Sequence, residues 1–205
     1  MTNIIPRYEY RIFGTDINTI IDKLKQEGEF QKERNISEIY LMTAGNVENN
    51  IKIRNKNIDI KKLVELNRNF EQWKPFNIGV FPLKTDIIKR EIFPALGVES
   101  PAFDKQEYTL AQFMTELIID DPDIMVALTD KNRFGYEFND CICEYAEIKI
   151  NGALLYTVAV ESESQKKVEE SIAILGLDKF ENINYPKQIK RVLGLEVDNR
   201  ISKYL

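Results

Sequence analysis

The sequence contains no histidine among its 205 residues. Histidine is the general base of Ser-His-Asp and Cys-His catalysis and the commonest protein ligand of transition metals, so sites of these kinds are excluded. The two cysteines, Cys141 and Cys143, are too few and too close together for a zinc site or for the disulfide framework of a secreted domain. Any catalysis must therefore use carboxylates, lysines, arginines and tyrosines.

An excess of basic charge is also missing, because 28 Lys and Arg residues stand against 33 Asp and Glu residues, for a formal net charge of −5. We therefore expect no general nucleic-acid binding, which needs a basic surface. No apolar run approaches the roughly 20 residues that span a bilayer, and the N-terminus has no basic segment followed by an apolar core. These absences predict a cytoplasmic protein that does not contact membranes.

The strand-like segments divide their apolar and charged residues between two faces. In RYEYRIFG, which begins at Arg7, the two tyrosines and Ile12 share one face, while Arg7, Glu9 and Arg11 share the other. The same alternation in later segments predicts charged faces with the pairs Lys52 and Arg54, Asp59 and Lys61, Lys131 and Arg133, Glu147 and Lys149, and Glu161 and Glu163. In CICEYAEIKI this assignment puts Glu144 on the apolar side.

Two architectures could accommodate strands with one polarity. A two-sheet sandwich would bury the apolar faces and leave the charged faces in water, whereas a closed barrel under helices would turn the charged faces into a lumen. We favour the second: an α+β fold made of a mostly antiparallel closed β-barrel of about eight strands with flanking helices, forming one domain over residues 1–205. The segment from Asn67 to Asp123 has little periodicity and leaves its strands unassigned.

Local signals add detail to this fold. Asn151-Gly152 predicts a hairpin between two late strands. Thr15 and Thr109 are predicted helix N-caps, and Ser162 or Ser164 caps a helix near the C-terminus.

Like charges gathered in one lumen repel each other, by about 1 to 4 kcal/mol for a pair ~4 Å apart, so this clustering indicates a ligand. Arginine and lysine bind phosphoryl oxygens, and Mg²⁺ or Mn²⁺ binds proteins through one or two carboxylates and the substrate through its phosphates. A polyphosphate with a divalent cation satisfies both sets of charges.

The order of short motifs resembles the CYTH or triphosphate tunnel superfamily, which includes triphosphatases and class IV adenylyl cyclases. The opening ExExK strand corresponds to RYEYR, the paired basic residues to KIR at 52–54, and a late basic strand to KNRFGY. The closing acidic strands and hairpin correspond to EYAEIKINGALLYTVAVESES, and NINYPKQIKR is similar to the terminal helix. The likeness runs along nearly the whole chain.

This resemblance implies a metal-dependent hydrolase of inorganic triphosphate, a nucleoside triphosphate or thiamine triphosphate. The implied phosphate-binding residues are Arg11, Lys52, Arg54, Lys61 (or its neighbour Lys62), Lys131 and Arg133. The implied ligands of Mg²⁺ or Mn²⁺ are Glu9, Glu147, Glu161 and Glu163. The implied catalytic residues are Glu161, Glu163 and Lys61. Lys74 and Arg90 are further phosphate-binding candidates from the unassigned segment.

Two positions depart from the motifs. Arg7 stands where the first metal-binding glutamate is expected, and Ala159 stands where the first acid of the final E-x-E falls, unless the register moves to Glu161 and Glu163. These departures keep open a non-catalytic module that binds a phosphorylated ligand or nucleotide. An adenylyl cyclase rests on fold analogy alone, and the sequence leaves a homodimer open.

Overall fold

The computed structural model describes residues 5–67 and 70–195. Its first half contains β1 (Tyr8–Gly14), α1 (Asn18–Glu27), β2 (Glu29–Met42), β3 (Asn49–Arg54), β4 (Asn57–Asn67), β5 (Phe70–Val80) and β6 (Leu83–Lys84). A helical segment lies on each side of β7 (Glu107–Tyr108) in the sequence. The segment before β7 consists of α2 (Thr85–Ile87), a π-helix (Ile88–Ile92) and α3 (Phe93–Leu96), and the segment after it consists of α4 (Leu110–Gln112) and a second π-helix (Phe113–Ile118). The chain continues with β8 (Met125–Phe138), β9 (Cys141–Ile150), β10 (Ala153–Ser162), α5 (Gln165–Leu175), a 3₁₀ turn (Leu177–Lys179) and α6 (Tyr185–Leu193).

Eight of these strands close into an antiparallel barrel in the order β1-β10-β9-β8-β2-β3-β4-β5. The predicted α+β class and eight-stranded barrel are confirmed, and the sandwich alternative is wrong. The hairpin between β9 and β10 turns at Asn151-Gly152, where both residues have positive φ, as predicted. No helix in the described part of the chain is long and apolar enough to cross a membrane.

The chain divides into two compact units. The first comprises Met1–Glu38, Lys61–Phe76 and Leu128–Asn184, and the second comprises Ile39–Ile60, Asn77–Ala127 and Tyr185–Leu205. The expectation of one domain over residues 1–205 stays a prediction.

The core of the first unit lies between the outer face of its strands and two helices. Tyr10 and Ile12 of β1 and Val158 of β10 pack with Leu24 of α1 and Ile172 of α5. The tyrosines of RYEYRIFG therefore face the helical cover, as predicted. Because side chains alternate along a strand, Glu9 and Arg11 lie on the inner face, as do Thr157, Ala159 and Glu161 of β10.

The core of the second unit uses the same arrangement. The buried isoleucines of β3 and β4 pack with Phe93 of α3 and Phe113 of the second π-helix. Lys52 and Arg54 alternate with these isoleucines and lie on the opposite face of β3. This confirms the predicted division of that strand into an apolar and a charged face.

The face assigned to β9 is wrong. Cys141, Cys143 and Tyr145 belong to the core cluster under the helices, and Ile142 is 48% exposed. The outer face is apolar through its cysteines and its tyrosine, which an assignment based on isoleucines misses. Glu144 therefore lies on the inner face of β9, and Glu147 lies on the outer face.

The helix caps are partly as predicted. Thr109 forms a capping box with Gln112, and Ser164 accepts a hydrogen bond from the backbone of Lys167 at the start of α5. Thr15 does not cap α1, since that helix begins after Ile17, which has no side-chain cap.

Candidate functional site

The inner faces of β1 and β10 bring the predicted acidic and basic residues together. In the antiparallel register Glu9 lies opposite Glu161, and Arg11 lies opposite Ala159. Directly opposed residues have Cβ atoms about 4.5–5.5 Å apart, so the two carboxylates are neighbours. The backbone of Arg11 is fixed on its other side, because its N–H donates to Asn182 Oδ1 at 2.8 Å and its C=O accepts from the N–H of Ile183 at 2.8 Å.

Arg11 is the centre of a buried hydrogen-bond network. Its side chain is 4% exposed, and its Nε donates to Glu9 Oε1 at 2.7 Å. Its Nη1 donates to Glu144 Oε1 and to Thr157 Oγ1, each at 3.3 Å. The predicted site residue Arg11 is therefore held in place from three strands.

Glu144 joins this network to Arg133. Arg133 Nε donates to Glu144 Oε2 at 2.6 Å, and its Nη2 contacts the same oxygen. Glu144 lies between two small residues in register, Ala159 on β10 and Gly135 on β8. Because Ala159 has only a methyl group, Arg11 on the next strand can reach past it to the carboxylate.

The surroundings of Glu144 hold it in the charged form. Burial by itself raises the pKa of this carboxyl, but the charges of Arg11 and Arg133 and the hydrogen bond from Arg133 lower it by more, so the net pKa lies below its usual value. Glu144 thus presents a full negative charge between two guanidinium groups. The sequence prediction missed Glu144 because it assigned this residue to the apolar face of β9.

Glu161 has the opposite environment. Burial raises its pKa, the neighbouring charge of Glu9 raises it further, and Arg11 and Lys61 offset only part of the effect. The Arg7 Nη1 atom lies 4.0 Å from Glu161 Oε2. Glu161 is therefore a carboxylate whose charge is under-compensated by its neighbours.

A third glutamate, Glu71 of β5, lies opposite Glu9 on the other side of β1. Its two oxygens accept hydrogen bonds from Trp73 Nε1 at 2.9 Å and Asn184 Nδ2 at 2.8 Å. Glu71 is therefore oriented by Trp73 and Asn184, whereas Glu9 accepts its hydrogen bond from Arg11. Sequence reasoning missed Glu71 and the position of Trp73 because β5 falls in the segment without periodicity.

An acidic cavity of about 320 Å³ opens beside this row of glutamates. Its charged lining consists of Glu9, Glu161, Glu163, Arg7 and Lys61, which is three carboxylates against two cations, and Trp73 forms part of its wall. Four predicted site residues, Glu9, Glu161, Glu163 and Lys61, are thus in one cavity. We call it the acidic cavity.

A second cavity, of about 250 Å³, shares Arg7 and Glu161 with the first. Its charged lining is Arg7, Lys32, Arg34, Arg133, Glu144 and Glu161, which is four cations against two carboxylates. We call it the basic cavity. The first unit therefore has two adjoining cavities of opposite charge balance, which is an arrangement that can hold a polyanion together with a cation.

The remaining predicted residues lie elsewhere. Lys131 is 3% exposed and donates to Glu38 Oε2 at 2.6 Å in a buried ion pair. Glu147 accepts from the Tyr145 hydroxyl at 2.7 Å on the outer face of β9, so the structure does not bring it to the other predicted metal ligands. The prediction that Glu147 lies on the inner face is wrong, because the face of β9 that packs under the helices is the one with Tyr145 and the two cysteines.

Lys52 and Arg54 belong to the second unit, where Arg54 Nη2 lies 4.0 Å from Asp59 Oδ2. Their predicted role in phosphate binding stays a prediction. Lys74 and Arg90 are exposed and are not among the residues that line the acidic or the basic cavity.

The carboxylates of the acidic cavity are candidate ligands for a divalent cation. Within residues 5–67 and 70–195, no group of three or more acidic, cysteine or histidine side chains that could hold a metal ion is found. Mg²⁺, however, commonly uses only one or two protein carboxylates together with substrate phosphates. The adjacent carboxylates of Glu9 and Glu161, with the raised pKa of Glu161, fit that mode of binding.

The fold has counterparts among solved structures. A putative adenylyl cyclase from Hippeastrum, HpAC1, which has a dominant triphosphatase activity, is 14% identical, with 93% of this chain and 96% of that chain covered and a TM-score of 0.52. A conserved hypothetical protein from Pyrococcus furiosus is 18% identical, with 88% and 98% covered and a TM-score of 0.47. A putative adenylate cyclase from Bacillus halodurans is 13% identical, with 89% and 95% covered and a TM-score of 0.46.

No protein-family model and no curated protein matches the chain. At these identities the likeness is one of fold: the chain has a fold similar to that of HpAC1, which agrees with the barrel that the motif resemblance implies. Among these neighbours HpAC1 has the highest of the three TM-scores, and nearly the full length of both chains is aligned.

Proposed function

We propose that the chain binds a triphosphate-containing small molecule at the acidic and basic cavities of its first unit and hydrolyses a phosphoric anhydride bond with the help of Mg²⁺ or Mn²⁺. One observation carries this proposal: the acidic and basic cavities adjoin and share Arg7 and Glu161. The triphosphatase activity of the Hippeastrum protein, which has the same fold, supports it.

The basic side chains of the first unit would bind and orient the phosphates. Arg11 and Arg133 are already directed to one anionic carboxylate, Glu144, and the forked donors of a guanidinium suit phosphoryl oxygens equally well. Lys61 would add a third cation from the wall of the acidic cavity. Together they would stabilise the negative charge that builds up on the leaving phosphate when its bond to the attacked phosphorus breaks.

The carboxylates would complete the site. Glu9 and Glu161 would hold the divalent cation, which supplies neutralisation of phosphate charge and a fixed geometry between phosphate and protein. Glu163, at the exposed edge of the acidic cavity, would accept a hydrogen bond from the attacking water and orient it toward phosphorus. Such a reaction needs positioning and charge stabilisation and no histidine or covalent nucleophile.

The experiment is phosphate release from tripolyphosphate, ATP and thiamine triphosphate, each with Mg²⁺, Mn²⁺ or a chelator. We expect metal-dependent release from at least one substrate and its loss in Glu161→Gln. The control is Glu137→Gln, which changes an exposed strand glutamate that does not line either cavity. Full activity of Glu161→Gln would remove Glu161 from the site.

One observation favours a second candidate, a binding module without turnover. Arg7 reaches to 4.0 Å from the Glu161 carboxylate and so competes with a divalent cation for it. In that case polyphosphate would bind equally well with metal and with chelator, and folded protein would release no phosphate from any substrate. Cyclic product from ATP would be the test of a cyclase.

A further inference from the structure

Trp73 is the single tryptophan of the chain, and its indole forms part of the lining of the acidic cavity. The residue is half-buried, and Ile5, Pro6 and Pro75 lie in the same lining. These four side chains give the acidic cavity an apolar wall next to its carboxylates. A ligand bound in the cavity would therefore contact the indole.

The orientation of this indole depends on two residues outside the cavity. Trp73 Nε1 donates to Glu71 Oε2 at 2.9 Å, and Asn184 Nδ2 donates to Glu71 Oε1 at 2.8 Å. Neither Glu71 nor Asn184 is among the described residues that line the acidic or the basic cavity. The Glu71 carboxylate therefore links the wall of the acidic cavity to a residue that lies 113 positions further along the chain.

Asn184 belongs to a short segment, residues 180–184, that is also bound to the first strand of the barrel. Asn182 Oδ1 accepts a hydrogen bond from the Arg11 N–H, and the Arg11 C=O accepts one from the Ile183 N–H, each at 2.8 Å. The backbone next to Asn184 is thus anchored to β1, while its side chain is bonded to β5. An anchored backbone keeps the amide of Asn184 in a fixed place.

These contacts pre-organise the apolar wall. A buried indole N–H usually has a hydrogen-bond partner, and a hydrogen bond to a charged acceptor is stronger than one between neutral groups. Without Asn184, the Glu71 carboxylate could adopt other rotamers, and the indole would lose a fixed acceptor. A ligand would then have to order the indole on binding, and that ordering lowers the affinity.

From these observations we infer that Asn184 and Glu71 are positioning residues of the acidic cavity, which act on the bound ligand through the indole of Trp73. This inference rests on the proposed function, because it takes the acidic cavity to be part of the phosphate-binding site. Trp73 contacts the ligand, and Glu71 and Asn184 determine how firmly the indole is held. The affinity of the site therefore depends on a hydrogen bond that the ligand does not contact.

The first test uses the fluorescence of the free protein, since Trp73 is its only tryptophan. The variant is Asn184→Ala, and the control is Gln165→Ala, which removes another amide-to-carboxylate hydrogen bond of 2.8 Å, from Gln165 to Glu169 at the start of α5 and outside both cavities. Asn184→Ala should shift the emission of Trp73 to longer wavelength and increase its quenching by acrylamide, and the control should match the wild type. In a Glu71→Ala background, Asn184→Ala should change neither quantity further.

The second test is calorimetric titration with tripolyphosphate, with a chelator present. Asn184→Ala should weaken binding about three- to tenfold, which corresponds to the net free energy of one hydrogen bond, and Gln165→Ala should bind as the wild type does. In a Trp73→Phe background, which keeps an aromatic ring but has no N–H, Asn184→Ala should leave the affinity unchanged. A merely structural role of Asn184 would weaken binding equally in both backgrounds.

The outcomes separate the inference from the proposed function. Unchanged emission and affinity in Asn184→Ala overturn the inference and leave the proposed function standing, and so does an equal loss of affinity in the Trp73→Phe background. No binding of tripolyphosphate by the folded wild-type protein overturns both. Circular dichroism checks that each variant is folded, and Asn184→Ser, whose hydroxyl is too short to keep the hydrogen bond to Glu71, takes the place of Asn184→Ala if that variant does not fold.

Discussion

The substitution Glu144→Gln removes one negative charge from the network of Arg11, Glu144 and Arg133. Breaking a buried ion pair by removing one partner costs about 3–5 kcal/mol. Here Arg133 is 31% exposed and Arg11 keeps its hydrogen bond to Glu9, so solvent and the remaining partner compensate part of the loss. We expect the free energy of unfolding to fall by about 2 kcal/mol, which corresponds to about 4–8 °C in Tm for a chain of this size.

The assay is urea unfolding followed by circular dichroism, with Glu137→Gln as the control for an exposed strand glutamate. The effect has a predicted pH dependence. The pKa of Glu144 is lower in the folded than in the unfolded protein, so its stabilisation is complete above the unfolded value and is lost as the pH falls through the folded value. An unchanged urea midpoint at pH 7, or a difference that persists in strong acid, would refute the ion-pair network.

Two further predictions concern stability. The pKa of Glu161 is raised by folding, so its ionisation costs stability as the pH rises from the unfolded value through the folded value. Glu161→Gln should therefore raise the Tm at pH 7 but not at about pH 3, below the unfolded pKa of glutamate; a lower Tm at pH 7 would contradict this. Lys131→Met leaves the buried charge of Glu38 without its lysine and should cost about 3 kcal/mol, while Lys131→Met/Glu38→Leu should recover part of that loss in the same urea assay. Equal stabilities of the single and double variants would mean that the two side chains do not interact energetically.

The strands with strict alternation are the part of the site that the sequence predicts well. In β1 the side chains of Tyr10 and Ile12, and in β10 those of Val158 and Val160, lie on the face under the helices, so the positions of Arg11 and Glu161 on the other face follow from the period of two. The pairing of β9 with β10 is also predictable, because the Asn151-Gly152 sequence favours by itself the positive-φ turn that joins the two strands.

The missed residues lie where the local pattern is ambiguous. The outer face of β9 is made by cysteine and tyrosine, so Ile142 suggests the wrong face and Glu144 is misplaced. The first half of β2 is exposed on both faces and gives no apolar signal for Lys32 and Arg34. Glu71 is positioned by Trp73 and by Asn184, which lies 113 residues away in sequence, and no local pattern can reveal such a contact.

The burial of Cys141 and Cys143 under the helices has a practical consequence for labelling. Burial raises the pKa of the Cys143 thiol to about 12 and also raises that of Cys141, so at neutral pH both are almost entirely protonated and poor nucleophiles. A cysteine introduced at an exposed site, such as Lys166→Cys, would be the thiol that reacts with a maleimide dye. A fluorophore can thus be attached to one chosen point of the molecule without first replacing its natural cysteines.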